Sequence, residues 1–310
     1  MRKFALALTF LAFVLLSGCV GQQQLQPEGF AGGENGLKME FLNNTPPDTI
    51  FKGVPFEVAL FIENAGETLL EPNSIHLKFG NAKNFNVPAE KETITIPTNT
   101  EGPLEGKHRA GDQLVGGGKT IVYYDASYTG ILPPTEKAPV SFSIQACYQY
   151  ATKGVSNLCI ARTTDVCDPL AQKEMKSSGG PIQFTDFSEV STAKGNDVTV
   201  QFEFTVKNTG GGSVYDVACE EIGNRYDNQI SITSLRFGTE DLLPICKTNN
   251  KVAQDSDWIV SLDKDGVGKG VCTFRTTLAG GDYKDLIFMT VAYTYVQDIQ
   301  KEVSVIPLQL

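Results

Sequence analysis

Histidine is almost missing from this chain: His76 and His108 are its two copies in 310 residues. His76 falls in an alternating stretch, Ser74 to Phe79, where a surface or edge position is expected. His108 falls in a glycine-rich stretch, where a solvated loop tip is expected. So little imidazole leaves few general bases for a nucleophile and few neutral metal ligands. The motifs of common hydrolases are missing too: there is no Gly-x-Ser-x-Gly elbow and no His-Glu-x-x-His pair. Gly116-Gly117-Gly118-Lys119-Thr120 has a faint likeness to a phosphate-binding loop, but the first glycine of that motif is absent at its spacing. No Cys-x-x-Cys pair is present, and both histidines are far in sequence from every cysteine, which excludes the usual zinc arrangements. The expectation is a protein without catalytic residues, metal or cofactor.

Positive charge is scarce as well. Lys and Arg number 26 against 36 Asp and Glu. No basic patch stands out, which argues against nucleic acid as a partner. The same balance argues against adsorption to anionic lipid. The apolar run from Phe4 to Leu16 covers 13 residues. That is short of the roughly 20 needed to cross a bilayer.

That short run carries another meaning. It follows Arg2-Lys3 and ends in Leu16-Ser17-Gly18-Cys19. A basic start, a short apolar core and small residues before a boundary make a secretory signal peptide. With cysteine at the boundary, the tetrapeptide resembles the lipobox of bacterial and archaeal lipoproteins. That resemblance implies cleavage before Cys19, lipidation of Cys19, and an extracytoplasmic chain attached to the membrane through the lipid. Loss of Arg2 and Lys3 leaves 24 basic residues against 36 acidic ones, a charge of about −12.

With Cys19 assigned to lipid, six cysteines remain: Cys147, Cys159, Cys167, Cys219, Cys246 and Cys272. An even set in an exported chain reads as three disulfides with many possible connectivities. Cys147 and Cys159 flank Lys153-Gly154, a stretch that reads as a hairpin with Gly154 at its tip. That reading places the two cysteines opposite each other. Cys246 would then bond Cys272 across neighbouring strands, and Cys167 would bond Cys219.

The rest of the chain alternates apolar and polar residues, the period of half-buried strands. Phe56 to Glu63 and Asp197 to Lys207 are the strongest examples, and helix is hinted at only over Ala171 to Met175. Thr98 to Gly118 reads as a long surface loop. Two features recur at one offset: Asn64-Ala65-Gly66 and Asn208-Thr209-Gly210 are 144 residues apart, and Tyr148-Gln149-Tyr150 and Tyr293-Thr294-Tyr295 are 145 apart. A shared offset at distant places predicts two β-sandwiches of one type. The expected organisation is a signal peptide over 1–18, a flexible tether over 19–36, a first sandwich over 37–166, a linker over 167–180 and a second sandwich over 181–310.

A charged residue followed by Asn-x-Gly at a strand end, in an exported all-β chain, resembles the immunoglobulin-like domains of bacterial and archaeal surface proteins, including the adhesion-related CARDB-like group. The resemblance implies the fold and a cell-surface location, and it supplies no catalytic residues. The partner is expected to be another surface protein or a glycan. The rival role is a subunit of a surface filament or of an envelope secretion or transport complex. One ligand feature stands apart: Asp263-Lys264-Asp265-Gly266 resembles part of a calcium loop, with a tight turn as the plain alternative.

Overall fold

A computed structural model of the chain describes residues 29–133, 136–162, 168, 173–222, 228–249, 258–278 and 281–308. The described chain is all-β. Its first half contains β1 (Leu37–Phe41), β2 (Thr49–Phe51), β3 (Pro55–Asn64), β4 (Ile75–Gly80), a one-turn helix α1 (Ala89–Glu92), β5 (Thr93–Ile96), β6 (His108–Ala110), β7 (Gln113–Val115), β8 (Lys119–Ser127) and β9 (Ala138–Ile160). Its second half contains β10 (Lys176–Ser177), β11 (Ile182–Lys194), β12 (Asp197–Asn208), β13 (Ser213–Tyr215), β14 (Gln229–Phe237), β15 (Glu240–Asp241), α2 (Leu243–Asn249), β16 (Trp258–Ser261), β17 (Val267–Thr277) and β18 (Tyr283–Ile306).

Alternation explains most of these strands. On β12, Val198, Val200, Phe202, Phe204 and Val206 are all fully buried, while Gln201 between them is exposed. Burying each such side chain contributes about 2 kcal/mol, so one strand supplies a large share of a core. β3 follows the same rule with Val58, Leu60 and Ile62. Each of these strands is the middle of a three-stranded sheet, β1-β3-β8 in the first half and β11-β12-β17 in the second.

Both small sheets face one large sheet. Its ten strands include the path β15-β14-β18-β9-β4-β5. Aromatic rings bridge the layers: Phe41 on β1 meets Phe142 on β9, Tyr124 on β8 meets Phe79 on β4, and Phe204 on β12 meets Trp258 on β16. Each half is therefore a sandwich, and the two share a layer.

The shared layer is joined by β9 and β18. They run antiparallel and pair from Tyr283 opposite Ile160 to Val305 opposite Ala138. Tyr148 lies opposite Tyr295, Tyr150 opposite Tyr293, and Gln149 opposite Thr294. A two-fold axis through the Gln149–Thr294 pair therefore exchanges the repeated strands, and with them the two halves.

This arrangement corrects the expected hairpin. Val140 to Ile160 is part of one long strand, and Gly154 lies within it opposite Met289. A β-carbon on Gly154 would lie 2.6 Å from both Met175 Cε and Phe184 Cδ2. The glycine admits those side chains rather than turning the chain. Likewise the sequence alternation gives separate strands at Leu286–Tyr295 and Glu302–Leu308, and the structure runs both into one strand, β18, which ends at Ile306. In both cases the partner strand runs on, so the backbone groups keep finding their ladder.

Three further expectations change. Residues 173–180, expected as linker, are packed: Lys173 bridges Phe187, and β10 pairs with Gly154 and Val155. Lys173 to Met175 are not helical, and the rest of the hinted helix lies outside the described residues. The expected loop over 98–118 carries the β6–β7 hairpin and the buried Leu104, which bridges Leu70.

Candidate binding site at the junction of the two halves

The repeated Asn-x-Gly and Tyr-x-Tyr motifs turn out to be two sides of one contact. Asn64 Nδ2 donates to Thr68 O at 2.7 Å, and Asn208 Nδ2 donates to Gly212 O at 2.7 Å. The freed amide oxygens then accept from tyrosine: Tyr150 Oη donates to Asn64 Oδ1 at 3.4 Å, and Tyr295 Oη donates to Asn208 Oδ1 at 3.1 Å. The motif's glycine makes room for that hydroxyl. A β-carbon on Gly66 would lie 1.9 Å from Tyr150 Oη, and one on Gly210 would lie 2.5 Å from Tyr295 Oη.

The other two tyrosines complete a square. Ring centroids are 5.8 Å apart for Tyr148–Tyr150, 5.9 Å for Tyr148–Tyr295, 6.2 Å for Tyr150–Tyr293 and 6.3 Å for Tyr293–Tyr295. Tyr148 Oη accepts from Leu37 N and donates to Gln297 Oε1, and Tyr293 Oη accepts from Ile182 N and bonds Thr152 Oγ1. Burial raises all four phenols above their ordinary pKa, Tyr148 and Tyr293 well above it, so they stay neutral donors. Four buried rings with paired hydroxyls fix the angle between the halves.

A strap crosses this junction. Residues 29–36, expected as part of a flexible tether, are held by both halves. Glu67 Oε1 accepts from Gly32 N at 2.7 Å and from Gly179 N at 2.6 Å. Gly180 N donates to Gly33 O, and Arg109 Nε donates to Phe30 O at 3.2 Å.

Between the strap, the β6–β7 hairpin and β9 lies a cleft of about 700 Å³. That volume is within the range of small-molecule sites. Phe30, Glu67, His108, Arg109, Lys153 and Ser178 contribute to its walls. His108 Nδ1 faces Gly106 O at 3.1 Å, which leaves its other ring nitrogen to the cleft side or solvent. Ser178 Oγ accepts from Lys153 N at 2.9 Å, which fixes the backbone beneath the lysine. His108, expected as a bare loop tip, is instead on a strand lining this cleft. Lys153 lies in the stretch expected as a hairpin, 44 residues from Arg109 in sequence. The one signal in the sequence is the run Lys107-His108-Arg109 in an acidic chain.

The other face of the central sheet is covered by the segment 216–221, which follows the in-plane strand β13. Thr294 Oγ1 donates to Val217 O, Ser231 Oγ bonds Asp216, and His76 Nε2 lies 3.4 Å from Glu220 Oε1. Cys147 is disulfide-bonded to Cys219 there, which corrects two expected pairings at once, Cys147–Cys159 and Cys167–Cys219. The physical reason is that β9 never turns back, so Cys159 is a long way down the same strand. Cys246 and Cys272 are joined, linking α2 to β17. Cys159 is also disulfide-bonded. Cys167 and Cys19 lie outside the described residues, and the lipid expectation for Cys19 lies there with it.

The remaining candidates are structural. Asp263 Oδ1 accepts from Asp265 N at 2.9 Å and Val267 N at 3.0 Å, and Gly266 has φ of 73°. These bonds hold the Asp263 carboxyl below its usual pKa. The tight-turn reading of Asp263 and Asp265 accounts for them, and among the described residues no group of three or more His, Cys, Asp or Glu could hold a metal ion. Gly117 lies against Asn64 O, where a β-carbon would be 1.9 Å away, so the glycine run serves packing. His76 and His108 have separate partners and are not brought together. Among the described residues no helix is long and apolar enough to cross a membrane.

No protein-family profile matches the chain, and no curated protein matches it. Solved structures give weak likenesses. The red sea bream transglutaminase aligns at 8% identity over 89% of this chain and 32% of its own, with a TM-score of 0.18. This chain therefore spans about a third of that protein's length. The collagen adhesin of S. aureus aligns at 8% identity over 89% of this chain and 95% of its own, with a TM-score of 0.14. The CupB6 tip adhesin of Pseudomonas aeruginosa aligns at 10% identity over 89% and 99%, also with a TM-score of 0.14. At these scores the likenesses carry no argument about what this chain does.

Proposed function

We propose that the chain is a lipid-anchored extracytoplasmic surface protein whose double sandwich acts as a binding or structural module and not as an enzyme. The observation that carries the reading is the pair of disulfides, Cys147–Cys219 and Cys246–Cys272, in an all-β chain. Such bonds persist in oxidising compartments outside the cytosol. The Leu16-Ser17-Gly18-Cys19 box supports attachment through a lipid anchor. The tyrosine square supports a rigid platform, and the junction cleft is the candidate contact with another surface protein or a glycan. Replacing Cys19 by Ser tests the anchor. The variant should move from the membrane fraction to the medium, and the wild type should incorporate radiolabelled fatty acid. Retention of the variant with the membrane would overturn the lipid reading.

A second reading, a filament or envelope-complex subunit, has one observation in its favour. β8 pairs with β3, and among the described residues no strand pairs with its other edge, where Ser127 N donates to Phe85 O; its Ile121 and Tyr123 are 41% and 50% exposed. An open edge can accept a strand from a neighbour. Ordered polymers in native envelope preparations, abolished by Ile121→Lys, would favour this reading; a monomer in detergent would sink it.

A further inference from the structure

We infer that the junction cleft binds a short acidic saccharide, a uronate-bearing sugar whose carboxylate is taken by Arg109 and Lys153. The inference deepens the binding-module reading and rests on it.

Charge placement is the first support. The chain carries a formal net charge of −10, yet the cleft gathers Arg109, His108 and Lys153 from β6 and β9. Some bases elsewhere are matched with acids, such as Lys91 with Asp125, Lys269 with Glu203 and Lys301 with Asp48. Arg109 commits its Nε to Phe30 O, and its terminal nitrogens and the Lys153 ammonium have no acidic partner among the described residues. Glu67, the acid lining the cleft, accepts from Gly32 N and Gly179 N through Oε1, and Arg109 and Lys153 together outnumber its one negative charge. A guanidinium fork and an ammonium lining one cleft suit a carboxylate.

The wall chemistry is the second support. Phe30 is half-buried and offers a ring for the apolar face of a pyranose. Ser178 and the backbone of Gly29 and Gly111 offer groups for sugar hydroxyls. About 700 Å³ holds a few sugar rings. A polyanion is a poor match, because the net negative charge repels it beyond the cleft and no basic stripe extends from it.

Titration of the purified full chain in detergent with digalacturonate tests this, with its neutral methyl ester and inorganic phosphate as further arms. Saturable binding of digalacturonate is expected, at least about tenfold tighter than the ester or phosphate. Arg109→Gln and Lys153→Gln should each weaken it about tenfold, with Arg275→Gln, at an exposed position of β17, as the unaffected control. Near-ultraviolet circular dichroism shows whether each variant keeps its fold. The inference is overturned by no binding at about 10 mM. It is equally overturned by equal binding of the ester or of phosphate, or by binding that ignores both cleft substitutions. Failure of the lipid anchor would show in cell fractionation and would leave this titration unchanged, so the two readings fail separately.

Discussion

Alanine at Gly66 should expose the logic of the junction. The new methyl would lie 1.9 Å from Tyr150 Oη and 2.9 Å from both Asn35 O and Gly179 O. The two backbone oxygens must shift as well, and the hydroxyl, the nearest of the three, must leave. Its departure strands Thr68 N, which donates to it at 3.1 Å, and loosens Asn64. Overpacking costs about 1–3 kcal/mol and a lost buried hydrogen bond about 1–3 kcal/mol, so Gly66→Ala should destabilise by about 2–6 kcal/mol. Tyr150→Phe alone loses the hydroxyl and should cost about 1–2 kcal/mol. The double variant should cost less than the sum, because a ring without its hydroxyl leaves room for the methyl; a coupling of at least about 1 kcal/mol is expected. Urea unfolding of the four proteins measures it. Additive effects would refute the claim that Gly66 exists to admit the Tyr150 hydroxyl.

Other perturbations have equally definite outcomes. The folded pKa values of Tyr148, Tyr150, Tyr293 and Tyr295 are raised, so their stabilisation is full below pH 10 and is lost as pH rises above it. One unit above the unfolded value, Tyr148, Tyr150 and Tyr293 each subtract about 1.4 kcal/mol, about 4 kcal/mol together, a large share of a domain's stability. Phenolate absorbance should rise in two stages, the second coinciding with loss of β-sheet dichroism; one reversible wave without unfolding would contradict this. Removing the Cys147–Cys219 bond, which spans 72 residues, with Ser at both positions should lower stability by about 4 kcal/mol in chemical denaturation. Glu189→Gln should cost about 3 kcal/mol, because the buried carboxylate holds Cys159 N and pairs with Lys173, whose side chain is 14% exposed. Thermal melting of the purified variant reads that loss.

Strand identity was legible wherever one face is buried and the other wet. β1, β3 and β12 follow their alternation nearly to the residue, while β14 changes phase at the bulge between Ile232 and Ser234. The repeat offset was legible too, since Asn64 and Asn208 hold the same contacts with Tyr150 and Tyr295. What the pattern did not reveal was that the repeated strands pair with each other. Pairing partners depend on long-range register, which a period of two does not encode. Gly154 misled because glycine serves two ends, turning a chain and admitting a neighbour, and sequence shows only its lack of a side chain. The disulfide pairing failed for the same reason: Cys147 faces Glu220's neighbour Cys219 across the sheet, a proximity created by β4, β9 and the covering segment together. The cleft was invisible because Arg109 and Lys153 meet only when the hairpin and β9 are both in place.

The account rests on the two halves being one body, welded along β9 and β18, since only a rigid junction can hold a cleft between the strap and β9. Native-state hydrogen exchange tests this directly. Amides of Tyr148 to Thr152 and Tyr293 to Gln297, which sit in the middle of the shared sheet, should be among the slowest in the chain and exchange only through global unfolding. Exchange there as fast as in the short edge strand β5 would mean that the halves part and rejoin, and would contradict the account.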